Sequence, residues 1–259
     1  MAQSSLSLFL ILSAILISLL CRSVQRGLTV IGVYQGPVVA SSAAQRIYAI
    51  PDTVHCEDIH YYAPGDILFT ACEDSVQQRF RWFPPLALLD GPVETTGSIR
   101  IINPQTKVSS QLMFENFPGP FVTHGIDVIQ DPDRAEALYI FAVNHLPNPE
   151  YSPATEAEAE APKARSQVEV FHYVLNSSTI RHVRSVRHPL ITTPNDLYAT
   201  SPYSFYVTND HHYREGFLRE LESIPGVKWA KVLHVQLDRL DTDDATAGVN
   251  TTVALASDV

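Results

Sequence analysis

The chain has 259 residues, long enough for one substantial core, and its 45% hydrophobic and 18% charged residues are those of a globular protein. A net charge of −10 argues against a nucleic-acid partner, which needs clustered Lys and Arg. Eighteen prolines and eleven tyrosines favour strands and loops over a helical bundle.

The first element is the apolar run Leu6 to Cys21, interrupted only by serines. It is longer than a signal-peptide core needs and shorter than the roughly 20 residues of a full membrane span. No Lys or Arg precedes it, whereas Arg22 and Arg26 follow. Residues 1–27 therefore read as a signal peptide or a retained signal-anchor. This sends the chain into the secretory pathway, either secreted or held to a membrane through residues 6–21 with the rest outside the cytoplasm. That compartment is oxidising, so Cys56 and Cys72 are candidates for a disulfide, while Cys21 lies in the apolar run. Asn176-Ser177-Ser178 and Asn250-Thr251-Thr252 are glycosylation sequons consistent with export.

Between Glu57 and Ser257 the chain repeats itself. Glu57-Asp58-Ile59-His60 leads into Asp66 to Ala71, His124-Gly125-Ile126-Asp127-Val128 into Leu138 to His145, and Asn195-Asp196-Leu197-Tyr198 into Ser204 to Asp210. From Glu57 to His124 is 67 residues, and from His124 to Asn195 is 71. After each pair comes an alternating strand with a partner: Ser98 to Ile102, Val168 to Tyr173, and Val232 to Leu237. Period-two alternation marks half-buried strands. Four strands per unit at this period predict an all-β fold, a β-propeller with about three blades within residues 28–259. Residues 149–165, rich in Ala, Glu and Pro, interrupt the second unit as a solvated insertion loop.

In a propeller the innermost strands converge on the axis. Glu57, His124 and Asn195 open those strands, so they are expected to meet at one mouth. Carboxylate and amide oxygens without thiolates suit calcium better than zinc. Neighbouring strand residues point to opposite faces, so the dipeptides Glu57-Asp58 and Asn195-Asp196 can serve two separate ions. His124 and His145 sit at opposite ends of one hairpin, which can bring them together beside a cation to deprotonate water. There is no G-x-S-x-G, H-E-x-x-H, P-loop or C-x-x-C, so a metal-assisted hydrolysis is favoured over a serine mechanism.

The ordered set Glu57-Asp58, Thr123-His124-Gly125-Ile126 with Val143-Asn144-His145, Pro194-Asn195-Asp196-Leu197 and Thr208-Asn209-Asp210-His211 resembles the paraoxonase/arylesterase family. The resemblance spans about residues 28–259. It implies a six-bladed propeller holding two calcium ions and hydrolysing lactones, with aryl esters and organophosphates as side activities. Glu57 and Asn195 then resemble ligands of the catalytic calcium. Asp58, Asp196 and the carbonyl of Ile126 resemble ligands of the structural one. His124 and His145 resemble the water-activating dyad, and His211 a histidine lining the same site. The family's further ligands would come from blades beyond Val259, so the chain reads as C-terminally truncated. Its Cys56–Cys72 pairing would be local rather than the family's long-range disulfide. Two alternatives stand beside this reading: a non-catalytic propeller that binds calcium or a ligand without turnover, and a related calcium propeller acting on sugar lactones.

Overall fold

The computed structural model describes residues 2–30, 32–33, 48–93, 97–117, 119–152, 161–222 and 227–256. The chain divides into two compact units, residues 1–48 with 220–228, and residues 49–219 with 229–259. The first is dominated by helix α1 (Ala2–Val30). Its apolar stretch has no polar face, and Leu10, Ile11, Leu12, Ile15, Leu16 and Ile17 are all exposed, unlike the side chains of a core helix. At 1.5 Å per residue, Leu6 to Cys21 is about 24 Å long against a hydrocarbon core of about 30 Å. Among the described residues no helix is long and apolar enough to cross a membrane.

The second unit is all-β, as expected. Strands β1 (Cys56–Tyr62) and β2 (Ile67–Cys72) form a hairpin. A loop follows, carrying helix α2 (Val76–Arg79) and the short strands β3 (Trp82–Phe83) and β4 (Leu88–Leu89). Strands β5 (Ser98–Ile102) and β6 (Ser109–Gln111) complete a sheet ordered β1-β2-β5-β6. Strand β7 (Met113–Glu115) then crosses over, and β8 (Thr123–Gln130), β9 (Ala137–Pro147), β10 (Ala164–Val174) and β11 (Thr179–Val186) form the next antiparallel meander. β7 adds to its far edge, parallel to β11, so the sheet is ordered β7-β11-β10-β9-β8. The third sheet is β12 (Pro194–Ser201), β13 (Ser204–Asn209), β14 (Lys231–Leu237) and β15 (Val249–Ala256), in chain order. Helix α3 (Phe217–Glu222) lies between β13 and β14 in the chain. Of the insertion at 149–165, residues 153–160 lie outside the described residues.

The strand sequences explain the stacking. β1 alternates in burial because one face is wet, whereas β9 is buried almost throughout. Leu138, Ile140 and Ala142 of β9 join a core with Phe69, Ile99 and Phe171, while Phe141 and Val143 join another with Phe205, Val207 and Leu233. A strand covered on both faces is selected for a continuous apolar run. Each fully buried aromatic or branched side chain contributes about 1.5–3 kcal/mol.

The first strands of the three sheets lie side by side, β1 against β8 and β8 against β12. They are tied by acidic side chains reaching across to the next strand. Ile126 N donates to Asp58 Oδ2 at 2.8 Å, Ala199 N donates to Asp127 Oδ2 at 2.6 Å, and His60 Nδ1 lies 2.6 Å from Asp127 Oδ1. Gly125 makes the closest approach, because a Cβ there would lie 2.5 Å from the carbonyl oxygen of Asn195.

Candidate active site

Side-by-side first strands bring their opening residues to one end. Glu57 Oε1 lies 2.7 Å from His124 Nε2, and Asn195 Nδ2 lies 3.2 Å from the same nitrogen. The β8–β9 register sets Thr123 opposite Asn144, so the following histidine on β9 falls beside the one on β8. His124 Nδ1 and His145 Nε2 are 3.2 Å apart, and His145 Nδ1 lies 2.8 Å from Ser166 Oγ at the start of β10. The result is a line of four polar groups, Glu57–His124–His145–Ser166. It runs from a Glu57 side chain 39% exposed to a His145 that is 0% exposed. With Glu57 as acceptor, the network assigns the His124 proton to Nε2, which leaves Nδ1 to accept from His145 and His145 Nδ1 to accept from Ser166.

Burial pushes the His145 imidazole well below its ordinary value of 6.5, with the charges of His124 and Arg79 adding to the shift, so it is neutral near pH 7. Burial alone would raise Glu57. The hydrogen bond and charge of His124, and those of Arg79, outweigh it and hold the carboxyl below its ordinary range.

Arg79 was not legible in the sequence as a site residue. Its Nη2 bonds Glu57 Oε2, its Nη1 donates to the Thr123 carbonyl at 3.1 Å, and its guanidinium sits 3.3 Å from the centroid of the Phe83 ring. Phe83 in turn sets its edge against His124 and His145 at centroid distances of 5.2 and 5.8 Å. Trp82 Nε1 donates to the His145 carbonyl at 2.9 Å. The α2–β4 loop is thus an apolar wall on the histidine pair that also carries a fixed cation. The clustered Arg79-Phe80-Arg81-Trp82-Phe83 is its only mark in the sequence.

A second group missed by pattern reading buttresses His145 from behind. Glu169 is 1% exposed and accepts from Asn144 Nδ2 (2.7 Å), Gln167 Nε2 (2.8 Å), Ser185 Oγ (2.6 Å) and, at 3.0 Å, His182 Nε2. Burial would raise its pKa, but these bonds prevail and hold it low, so it is ionised. Asn144, positioned by Glu169, accepts from Val122 N at 2.9 Å and donates to the Pro120 carbonyl at 3.0 Å. The chain leading into His124 and the strand ending at His145 are therefore pinned together.

The donor chemistry suits a hard cation. Glu57 and Asn195 offer a carboxylate and an amide at one ring nitrogen. Asp196 is raised from the ordinary carboxyl value by burial and by the nearby charges of Asp58 and Asp127, a crowding that a cation would relieve. Ile126 meets Asp58 through its N–H. Among the described residues, no cluster of three or more His, Cys, Asp or Glu side chains is arranged to hold a metal ion. Calcium takes six to eight oxygens, more than these side chains supply by themselves.

The remaining candidates fall elsewhere. His211 follows β13 at the same end of the third sheet as Asn195, since Asn209 pairs with Pro194. Its Nδ1 lies 3.0 Å from Asp210 Oδ1, and its backbone is held by Thr193, the neighbour of Pro194. Cys56 and Cys72 are joined in a disulfide across the β1–β2 hairpin, as suits an oxidising compartment. Asn176 and Asn250 are both exposed, the latter donating to Asp238 Oδ1 at 3.0 Å.

Residues 119–250 match the arylesterase family model. Among curated proteins, serum paraoxonase/arylesterase 2 of the dog is 30% identical over 134 residues, covering 50% of this chain and 33% of the relative. The chicken serum paraoxonase/arylesterase 2 is 34% identical over 116 residues, covering 45% and 28%. Human serum paraoxonase/arylesterase 1 is 32% identical over 114 residues, covering 44% and 27%. The matched stretch spans about a third or less of these relatives.

Proposed function

Because the chain belongs to the arylesterase family, we propose that it contributes to hydrolysis of lactones and aryl esters, with the Glu57–His124–His145 line as its reacting centre. The observation that carries this reading is the histidine pair itself: two imidazoles 3.2 Å apart, one neutral by burial and the other facing a half-exposed carboxylate. In the other tautomer of this line, His124 donates from Nδ1 to His145 Nε2 and His145 donates from Nδ1 to Ser166, so His124 Nε2 is free to take the proton of a water on the open side of Glu57 and Asn195. The imidazolium so formed is stabilised by the Glu57 carboxylate and oriented by neutral His145. Hydroxide adds to the carbonyl carbon, the acyl C–O bond breaks, and the leaving oxygen takes the proton back from Nε2. The products are a carboxylic acid, which releases its proton to solvent, and an alcohol. His145, held by Ser166, Trp82 and the Asn144–Glu169 pair, keeps the His124 ring in register and excludes water from behind it.

Glu57 and Asn195 would hold a catalytic calcium, and Asp58, Asp196 and Ile126 a structural one. When bound, calcium supplies polarisation of the ester carbonyl and charge stabilisation for its oxyanion. His211 would line the same mouth. In this reading the three meanders are blades of a propeller, and export through the secretory pathway follows from the N-terminal helix and the disulfide.

The test is hydrolysis of an aryl acetate and of a small lactone by the purified chain, followed by pH-stat. His124→Gln should lower kcat by about 10²–10⁴-fold while far-ultraviolet circular dichroism is unchanged. Equal turnover in the folded variant overturns the assignment of the base.

A further inference from the structure

Behind His145, on the side away from His124, lies an open cavity of about 260 Å³. Arg165, Arg187, Arg214 and His188 line it together with Ser166, and among the described residues Glu150 is the only acidic one on its wall. Three of the 18 Lys and Arg of a chain with net charge −10 thus share one small space.

Arginines used structurally in this fold look different. The buried Arg184 gives its guanidinium to the carbonyls of Ser185, Arg239, Asp244 and Ala247 at 3.2, 2.5, 3.4 and 3.1 Å. Arg214 is likewise anchored, Nε to the Thr192 carbonyl at 3.1 Å and Nη2 to that of Ile191 at 3.4 Å. Arg165 has no such arrangement. Its Nε is buried with no hydrogen-bond partner among the described residues, a state that costs free energy unless a ligand completes it. It is close enough to Arg187 for the two charges to repel, with Glu150 partly offsetting Arg165 and Asp244 partly offsetting Arg187. His188 Nδ1 accepts from Leu190 N at 3.2 Å, which leaves its proton on Nε2 as a further donor.

We propose that this cavity is a binding site for a small oxyanion, a carboxylate or phosphate group held by Arg165 and Arg187 with Arg214 behind them. The guanidinium fork presents parallel N–H donors matched to two oxygens of such a group, and the volume admits a ligand of few heavy atoms. Ser166, which bonds His145, forms part of the wall, so the bound anion would sit one side chain from the histidine pair. The site stands independently of ester hydrolysis, since nothing in it uses Glu57 or His124.

Isothermal titration of the full chain with inorganic phosphate, and separately with 4-hydroxybutanoate, tests this and separates the two sources of the oxyanion. Saturable binding of either is expected, weakened at least about tenfold by Arg165→Gln and by Arg187→Gln, each confirmed folded by thermal melting. Arg181→Gln, outside the cavity, should leave it unchanged, and Arg165→Lys should restore charge without the fork and recover only part of the affinity. Absence of binding by both anions at tens of millimolar, or binding that Arg165→Gln and Arg187→Gln leave intact, overturns the proposal.

Discussion

Gly125→Ala probes the contact on which the whole site depends. Gly125 lies outside the left-handed region, so alanine can adopt its backbone conformation. The added Cβ would nonetheless meet Asn195 O at 2.5 Å, Asp196 Cα at 2.7 Å and Asp196 Oδ1 at 3.1 Å. Two of these are backbone atoms, which cannot swing aside, so β8 and β12 must part by about 1 Å to restore ordinary contact. Overpacking of this kind costs about 1–3 kcal/mol, and the reduced freedom of the unfolded chain returns about 0.4–1 kcal/mol. A net loss of about 1–2 kcal/mol should lower Tm by about 2–8 °C in a domain of this size. The parting also withdraws Asn195 from His124, so ester hydrolysis should fall by more than the folded fraction does. Urea unfolding and turnover measured on the same preparation separate the two effects. A variant as stable and as active as the parent would refute the side-by-side placement of the first strands.

The pH dependence of stability has a defined sign. Folded His145 resists protonation, whereas the unfolded chain takes up that proton near 6.5, so below that pH the unfolded state binds more protons and stability falls. Urea midpoints should therefore decline from pH 7 toward pH 5, and His145→Asn should flatten that slope; an identical slope would remove His145 from the account. Glu169→Gln keeps the volume but turns an amide toward groups that themselves donate, and should cost about 2–3 kcal/mol. It should also loosen the Asn144–His145 stretch of β9 and reduce turnover in the folded protein, and a loss under about 0.5 kcal/mol would show that the four bonds reorganise freely.

Much of the architecture was legible in the chain because β-structure writes its period into the residues. Alternating strands recurring about every 70 residues mark out three meanders, and of their polar opening residues Glu57 and Asn195 end up within hydrogen-bond range of one ring nitrogen of the third, His124. The Cys56–Cys72 pair was readable from its compartment and from its place at the two ends of a hairpin. The parallel addition of β7 to β11 was not, since a three-residue edge strand has too short a pattern to name its partner. Nor were Arg79, Glu169 and Ser166 apparent as parts of the site, because each belongs to it through contacts with residues 22 or more positions away or through a strand register.

Residue type and spacing alone determined the fold class and the ends at which polar side chains gather. Only the tertiary structure decided the state of those groups. Whether a histidine is neutral, or a carboxylate ionised, depends on how much water it has lost and which donors replaced it. Those quantities are set by packing between strands far apart in the chain. Thus His145 and His124 are alike as letters. The burial of one and the carboxylate beside the other make them different groups.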